Sequence, residues 1–251
     1  MTSQILLTAP RIQARYTLLL TRDESDIVDA QRLRHRVFAG EMHARLSSLV
    51  PGLDVDDLDR HCDHLIVRDE PTGEVVGTYR MLMPEQARQA GRLYAEGEFD
   101  LSGLDGLRPA LVETGRSCVH PAHRSGAVVG LMWAGIARYM LLTGHDWLVG
   151  CASVPLADGG VLAAGVWDTV RDRHLAPTHL RVVPRRAWDV ASAPRPERVV
   201  LPPLLRGYLR LGAWVCGPPA HDMNFGVADF LVLLSMARVD RRYLRFFGES
   251  A

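Results

Sequence analysis

The residues that first suggest chemistry are charged side chains in apolar surroundings. Glu113 stands inside the run Leu111-Val112-Glu113-Thr114-Gly115-Arg116. A carboxylate in such a strand is costly unless it is paired or working. Strict alternation puts it on one face with Gly115 and Ser117, and Arg116 on the other. Two readings stay open: an ion pair with an arginine, or a general base where the strand meets the following loop. Arg34 and Arg36 precede Phe38, and Arg80 ends the run Val75–Tyr79. The ordinary fate of each arginine is a solvated surface position. Asp56 and Asp59 belong to the acidic run Asp54-Val55-Asp56-Asp57-Leu58-Asp59, which reads as an exposed loop or helix start.

Histidine and cysteine offer less. His61 and His64 are three apart, a spacing that brings two imidazoles together on a helical turn, but no third ligand is evident and no metal site is expected. His120 and His123 flank Pro121 and are expected to shape the loop. Cys62, Cys118, Cys151 and Cys216 are far apart and form no C-x-x-C pair, so neither a disulfide framework nor a zinc site is indicated. Met132, Trp133 and Met140 read as ordinary core of a helix.

These residues need elements to hold them. Tyr16–Leu20 reads as a strand, and Asp23-Glu24-Ser25 as the start of a helix over 25–38. His64–Arg68 and Glu74–Met83 read as strands joined by a turn at Pro71-Thr72-Gly73, with a short helix at Gln86–Gly91. The glycine-rich stretch 97–108 reads as loop. A strand over Ala110–Val119, a polar loop over His120–Gly126 and an apolar helix over 127–143 follow. Next come a strand at Asp146–Ser153 and a helix at Gly159–Asp172. Six prolines between 176 and 204 mark an irregular excursion. The tail reads as a helix at Leu204–Leu211, a strand at Asp229–Ser235 and a helix at Asp240–Phe247. The order indicates an α+β layer around one mixed sheet. A phosphate-bearing ligand fits the strand–loop–helix at 110–143, where Arg124-Ser125-Gly126-Ala127 leads into a helix N-terminus.

Composition narrows the chemistry. The 251 residues carry 29 basic and 29 acidic side chains, so net charge is zero and a general nucleic-acid binder is excluded. Every basic residue is arginine. Without lysine there is no Schiff-base chemistry and no lysine base, and a bound anion must be held by arginine or backbone N–H groups. The N-terminus lacks a signal-peptide pattern, and the longest apolar run, Ala127–Ala137, is shorter than the roughly 20 residues of a spanning helix. A cytoplasmic α/β-type protein is expected, with contact at the membrane surface at most.

Several stretches then form a familiar set: Cys62-Asp63-His64-Leu65, Val76-Gly77-Thr78-Tyr79-Arg80, Tyr94 with Glu98-Phe99-Asp100-Leu101, Glu113 through Pro121, Gly150-Cys151-Ala152-Ser153, Gly207 through Ala213, and Ala228-Asp229-Phe230. Together they resemble the ornithine N-acyltransferases, bacterial enzymes that begin ornithine-lipid synthesis and whose relatives are also called hemolysin-like. The resemblance covers roughly 16–247, broken at the proline-rich excursion. It implies a GCN5-related N-acyltransferase (GNAT) fold: a mixed central sheet flanked by helices, with a splayed strand pair for a pantetheine arm. One domain over 1–251 is implied, with the excursion at about 176–204 and a family-specific part at 205–251. Kinship with acyl-homoserine lactone synthases is also implied. Arg34 and Phe38 match their arginine and phenylalanine, Asp56 and Asp59 their two aspartates, Arg80 their next arginine, and Glu113 with Arg116 their glutamate–arginine pair. Their tryptophan after the phenylalanine is missing here, since the chain reads Gly40-Glu41-Met42-His43-Ala44. That departure favours the lipid branch.

The activity the resemblance implies is transfer of a long-chain acyl group, 3-hydroxylated in some members, from acyl-carrier protein to the α-amine of ornithine or a similar amino acid. Glu113 is then the base, and the backbone N–H groups near Val119 form the oxyanion hole. Arg34, Phe38, Asp56, Asp59, Arg80 and Arg116 serve the acceptor, the three arginines binding its carboxylate or keeping ion pairs with Glu113 and the aspartates. Ser117, Cys118 and Val119 pair with the pantetheine arm, and Arg124, Ser125, Gly126, Ala127 and Val128 receive its phosphate. The loop lacks a second glycine for a pyrophosphate, which favours carrier-protein phosphopantetheine over acyl-CoA. No permanently bound cofactor is expected. The implied partners are the carrier protein, the amino-acid acceptor, the inner membrane face and a second acyltransferase. Alternatives are acyl-CoA-dependent acylation of another amine, a lactone synthase using S-adenosylmethionine, and a non-catalytic acyl-binding module.

Overall fold

A computed structural model describes residues 4–8, 15–124 and 126–240. In chain order the elements are β1 (Gln4–Thr8), β2 (Tyr16–Thr21), α1 (Glu24–His35), β3 (Asp63–Asp69), β4 (Glu74–Leu82), α2 (Pro84–Ala90), β5 (Phe99–Asp100) and β6 (Leu111–Val119). After them come α3 (Ala127–Thr143), β7 (Trp147–Pro155), α4 (Val161–Arg173), β8 (Val183–Pro184), α5 (Pro203–Arg210), β9 (Trp214–Val215), β10 (Ala220–Asp222) and β11 (Val227–Ser235). The sequence-expected helix at Asp240–Phe247 lies outside the described residues from 241 onward. Among the described residues no helix is long and apolar enough to cross a membrane.

The chain gathers into two compact units. The described residues of the first fall within Met1–Ala90, Thr114–His145 and Asp240–Ala251, and those of the second within Gly91–Glu113 and Asp146–Val239.

In the first unit the strands lie in the order β1-β2-β3-β4-β6. The first three neighbouring pairs are antiparallel. β2–β3 pairs Tyr16 with Asp69 through to Thr21 with His64, the register that a half-buried alternating strand imposes. α3 lies against this sheet at two glycines. A Cβ on Gly135 would come within 2.9 Å of Leu18, and one on Gly77 within 2.8 Å of Val128. α1 begins where the side chain of Asp23 accepts from the Ser25 amide at 3.0 Å, with Glu24 and Asp26 in its first turn and Arg32, Arg34 and His35 in its last. The helix expected over 25–38 ends as an α-helix at His35 and continues as a π-helix over Arg36–Glu41, carrying Phe38 into the core. Such wide turns concentrate at functional positions.

In the second unit β7 pairs antiparallel with β11 over their full length, from Val227–Pro155 to Ser235–Trp147. β9 and β10 also pair with β11, and β5 pairs with β8. β9 and β10 were absent from the sequence reading. The stretch 97–108, expected to be loop, contains β5 and opens a 3-10 helix over Ser102–Ala110. Gly103 is needed there because a Cβ would lie 2.4 Å from the Arg181 carbonyl.

β6 departs from a regular pleat. Arg116 has φ +53°, a left-handed conformation that is uncommon for a residue with a Cβ. The simple alternation expected from Glu113 to Ser117 is therefore interrupted at Arg116. An outlier of this kind persists only where its surroundings over-determine it, and the contacts of Arg116 supply that constraint.

Candidate active site

Three arginines and three aspartates in the first unit close a ring. Arg34 meets Asp54 at 2.9 Å and Asp59 at 2.7 Å. Arg80 meets Asp59 at 3.0 Å and Asp56 at 2.5 Å. Arg116 meets Asp56 at 3.3 Å and Asp54 at 3.2 Å. Each cation touches two anions and each anion two cations, so the six charges sum to zero. The Arg34 side chain is 0% exposed and that of Arg80 4%. The solvated surface that is the ordinary fate of these two arginines, and the exposed loop expected for Asp56 and Asp59, are corrected, while the ion pairs expected between the arginines and the aspartates are present. An arginine leaves water only where carboxylates take every direction of its fork.

The elements explain the ring. Arg34 lies in the last turn of α1, Arg80 near the end of β4, and Arg116 at the break in β6. The aspartates hang from the segment before β3, which is held by other bonds. Gln31 donates to Asp59 at 2.9 Å, and the Asp56 amide donates to the same carboxylate at 3.2 Å. Asp54 was not singled out from sequence. Two buried arginines and a half-buried third call for a third anion, and Asp54 in the same acidic run supplies it. His64 is buried, its Nε2–H donating to the Asp59 carbonyl at 3.0 Å. It therefore braces the ring rather than pairing with His61, whose ring nitrogen accepts from Arg60.

The ring shifts its own protonation. Burial pushes the Asp59 carboxyl up, but Arg34 and Arg80 outweigh it and hold the group well below the usual range. Burial likewise opposes Arg80 and Arg116 at Asp56, and the net direction is again downward. Burial lowers the His64 imidazole, which therefore stays neutral.

A cavity of about 760 Å³ opens beside the ring. Gln31, Asp56 and Asp59 line it from the ring side, with Glu24 and Asp57 adding carboxylates and Ile27, Val28, Leu49, Val50 and Val55 forming apolar wall. Phe38 is buried on the π-helix, and its carbonyl accepts from the Ala44 amide at 2.8 Å.

In the second unit Glu113 is 4% exposed. Its two oxygens accept the backbone amides of Tyr94 at 2.6 Å and Ala95 at 2.8 Å. Arg34, Arg80 and Arg116, considered as its partners, each meet two of the aspartates. Nearby in that unit, ligand atoms of Glu98, Cys151 and Asp229 lie within 4.8 Å of one another. Burial and the adjacent Asp229 push the Glu98 carboxyl well above the carboxylate range, and burial with Glu98 raises the Cys151 thiol. The group suits a proton held between carboxyls.

The loop after β6 belongs to the first unit. The His120 amide donates to the Val76 carbonyl at 2.8 Å, fixing the strand's exit. Pro121–His123 forms a 3-10 turn, and Gly126 at φ +99° caps α3. Arg124 donates through Nε to the Val119 carbonyl at 3.1 Å, and through its terminal nitrogens to Glu41 at 2.6 and 2.8 Å. The Glu41 contact has no counterpart in the sequence reading. Ser117 is half-buried. Cys118 is buried, its thiol pushed up to about 12 by that burial, so it is no nucleophile. Ala127 and Val128 form the first turn of α3, whose leading amides have no intrahelical acceptor. Val128 packs its side chain into the core. Ser125 lies outside the described residues.

Residues 33–134 match the family described as acetyltransferase (GNAT) domain. The chain is 34% identical to an L-ornithine N(alpha)-acyltransferase of Agrobacterium fabrum, over 92% of this chain and 85% of that protein. It is 35% identical to a protein of the same name in Brucella abortus, over 92% and 88%. Among solved structures it is similar to BjaI, a CoA-dependent acyl-homoserine lactone synthase, with TM-score 0.53 and 16% identity over 90% of this chain and 82% of that one. The last likeness is one of fold: α+β, with mostly antiparallel strands flanked by helices.

Proposed function

Because the chain belongs to the L-ornithine N(alpha)-acyltransferase family, and is an N-acyltransferase, we propose that it moves a long-chain acyl group from an acyl-carrier-protein thioester to the α-amine of ornithine. The acceptor's ammonium groups enter the cavity beside the ring. The observation that carries this assignment is that Asp56 and Asp59 both close the ring and line the cavity. Arg34, Arg80 and Arg116 act as positioning residues, holding the carboxylates in fixed directions at low cost in reorganisation. Phe38 packs in the core at the turn that leads away from Arg34.

The reaction needs a free amine, since an ammonium has no lone pair. Glu113 is assigned the proton, taken directly or through a water. The backbone amides of Tyr94 and Ala95 orient its two oxygens. The amine attacks the thioester carbonyl, a C–N bond forms, and negative charge gathers on oxygen. The backbone N–H of Val119 is assigned to that oxyanion. Collapse breaks the C–S bond, and the second proton on nitrogen passes to the departing thiolate, giving the amide and the pantetheine thiol. The arm lies along Ser117, Cys118 and Val119. Its phosphate meets Arg124 and the amides of 126–128 at the start of α3.

Peripheral contact with the inner membrane face would hand the single-chain product to a second acyltransferase, since one acyl chain anchors only marginally. The acceptor assignment is tested by steady-state kinetics of Asp56→Asn. Its ornithine KM should rise at least roughly tenfold while the donor KM holds, reflecting loss of one charge-assisted contact. A rise confined to the donor KM would place the acceptor elsewhere.

A further inference from the structure

The contact between Glu41 and Arg124 is unexplained by the transfer chemistry. Glu41 ends the π-helix that follows α1, and Arg124 sits in the loop between β6 and α3, 83 residues away. The carboxylate takes both terminal nitrogens of the guanidinium, at 2.6 and 2.8 Å. This is the two-oxygen grip by which arginine also binds phosphate. Arg124 is the one arginine in the stretch 120–128, and the chain has no lysine to replace it. The remaining Arg124 nitrogen is fixed on the Val119 carbonyl, so the fork is aimed and already filled. Both partners are about two-fifths exposed. A pair that open to water is held weakly and exchanges readily.

We propose that Glu41 is a donor-specificity residue: it occupies on Arg124 the place taken by the donor's phosphate, and its charge disfavours donors that carry several phosphates. The inference rests on the reading of this loop as the donor-phosphate site. Carrier-protein phosphopantetheine brings one phosphodiester to the loop, whereas coenzyme A brings a diphosphate and a further phosphate on its ribose. With Glu41 present the pair is neutral, and added donor charge gains no attraction. With Glu41 neutralised, Arg124 stands as a free cation, and the gain scales with the charge of the donor. Glu41 acts through Arg124, so it is a positioning residue and touches no reacting atom.

The test is steady-state kinetics with acyl-carrier protein and acyl-CoA of equal chain length, for wild type, Glu41→Gln, Glu41→Asp and a control. The control is Glu85→Gln, which removes one negative charge from an exposed pair on α2. Glu41→Gln should lower the acyl-CoA KM by roughly three- to tenfold, with kcat held and the carrier-protein KM moved less than about twofold. Added salt should shrink the difference. Glu41→Asp and Glu85→Gln should keep the wild-type donor ratio. An unchanged ratio in Glu41→Gln, or equal loss of kcat with both donors, overturns the specificity role. A wild-type chain that turns over neither thioester overturns the transfer reading itself, a result separate from any change in ratio.

Discussion

Arg34 donates through two terminal nitrogens to the two carboxylate oxygens of Asp59, at 2.9 and 2.7 Å, with no part of its side chain exposed. This fork is a buried, two-bond edge of the six-membered ring. It fixes the end of α1 to the segment that delivers Asp54, Asp56 and Asp59, and so one wall of the cavity. The proposed acceptor contacts and the stability of the fold therefore rest on the same side chains.

Removing one member of the ring leaves its neighbours charged and unpaired. Arg34→Gln should destabilise the fold by about 3–5 kcal/mol, read as a lower urea midpoint. Arg34→Lys should recover only part of this, because an ammonium cannot span both oxygens. A midpoint within error of wild type for Arg34→Gln would show that the ring carries little of the fold's stability.

Acid should unfold the protein in two stages. His64 is held neutral by burial, so its folded value lies below 6.5. The unfolded chain takes that proton first, and stability falls as pH drops below about 6.5. Asp59 and Asp56 lie below their ordinary value of 3.8, so their contribution is complete above it and is lost as pH falls through the folded values. Urea midpoints from pH 8 to pH 3 check this, and His64→Gln should flatten the upper stage alone. A wild-type midpoint constant down to pH 4.5 would contradict the His64 assignment.

Glu113→Gln separates anchoring from proton transfer. A glutamine oxygen can accept from Tyr94 or Ala95, but its NH₂ group then faces the other amide. A loss of about 1–3 kcal/mol is expected in unfolding experiments. At a temperature where the variant remains folded, kcat should fall at least roughly a hundredfold. Wild-type kcat in the folded variant would remove Glu113 from catalysis and leave it as an anchor of the 94–97 turn.

The seat of α3 is testable by a cycle. Gly77→Ala places a methyl 2.8 Å from Val128, an overlap expected to cost about 1–3 kcal/mol. Val128→Ala should be destabilising alone yet relieve Gly77→Ala, giving a favourable coupling in the double variant. Simple additivity would mean the helix shifts freely.

Much of this was legible in the residues. The helix expected over 127–143 matches Ala127–Thr143, because an unbroken apolar run closes on Gly144 in the left-handed region. The strands around Glu113 and on both sides of Gly73 were equally plain. The 3-10 helix at 102–110 was hidden because Gly103, Gly106 and Pro109 carry the composition of a loop. A solvated surface is the default for Arg34 and Arg80 because burial of an arginine depends on partners distant in sequence. The left-handed turn at Arg116 has no local signal at all, since it is imposed by Asp54 and Asp56. Which residues carry charge was thus readable from the sequence, whereas which charge meets which required the fold.

The most direct measurement is a mass-spectrometric assay of the purified chain with a long-chain acyl-carrier-protein thioester and ornithine. The expected result is one new amide of the summed mass less the carrier thiol, with fragmentation placing the acyl group on the α-nitrogen. No amide above the enzyme-free control, or acylation on the side-chain nitrogen alone, would contradict the proposed transfer.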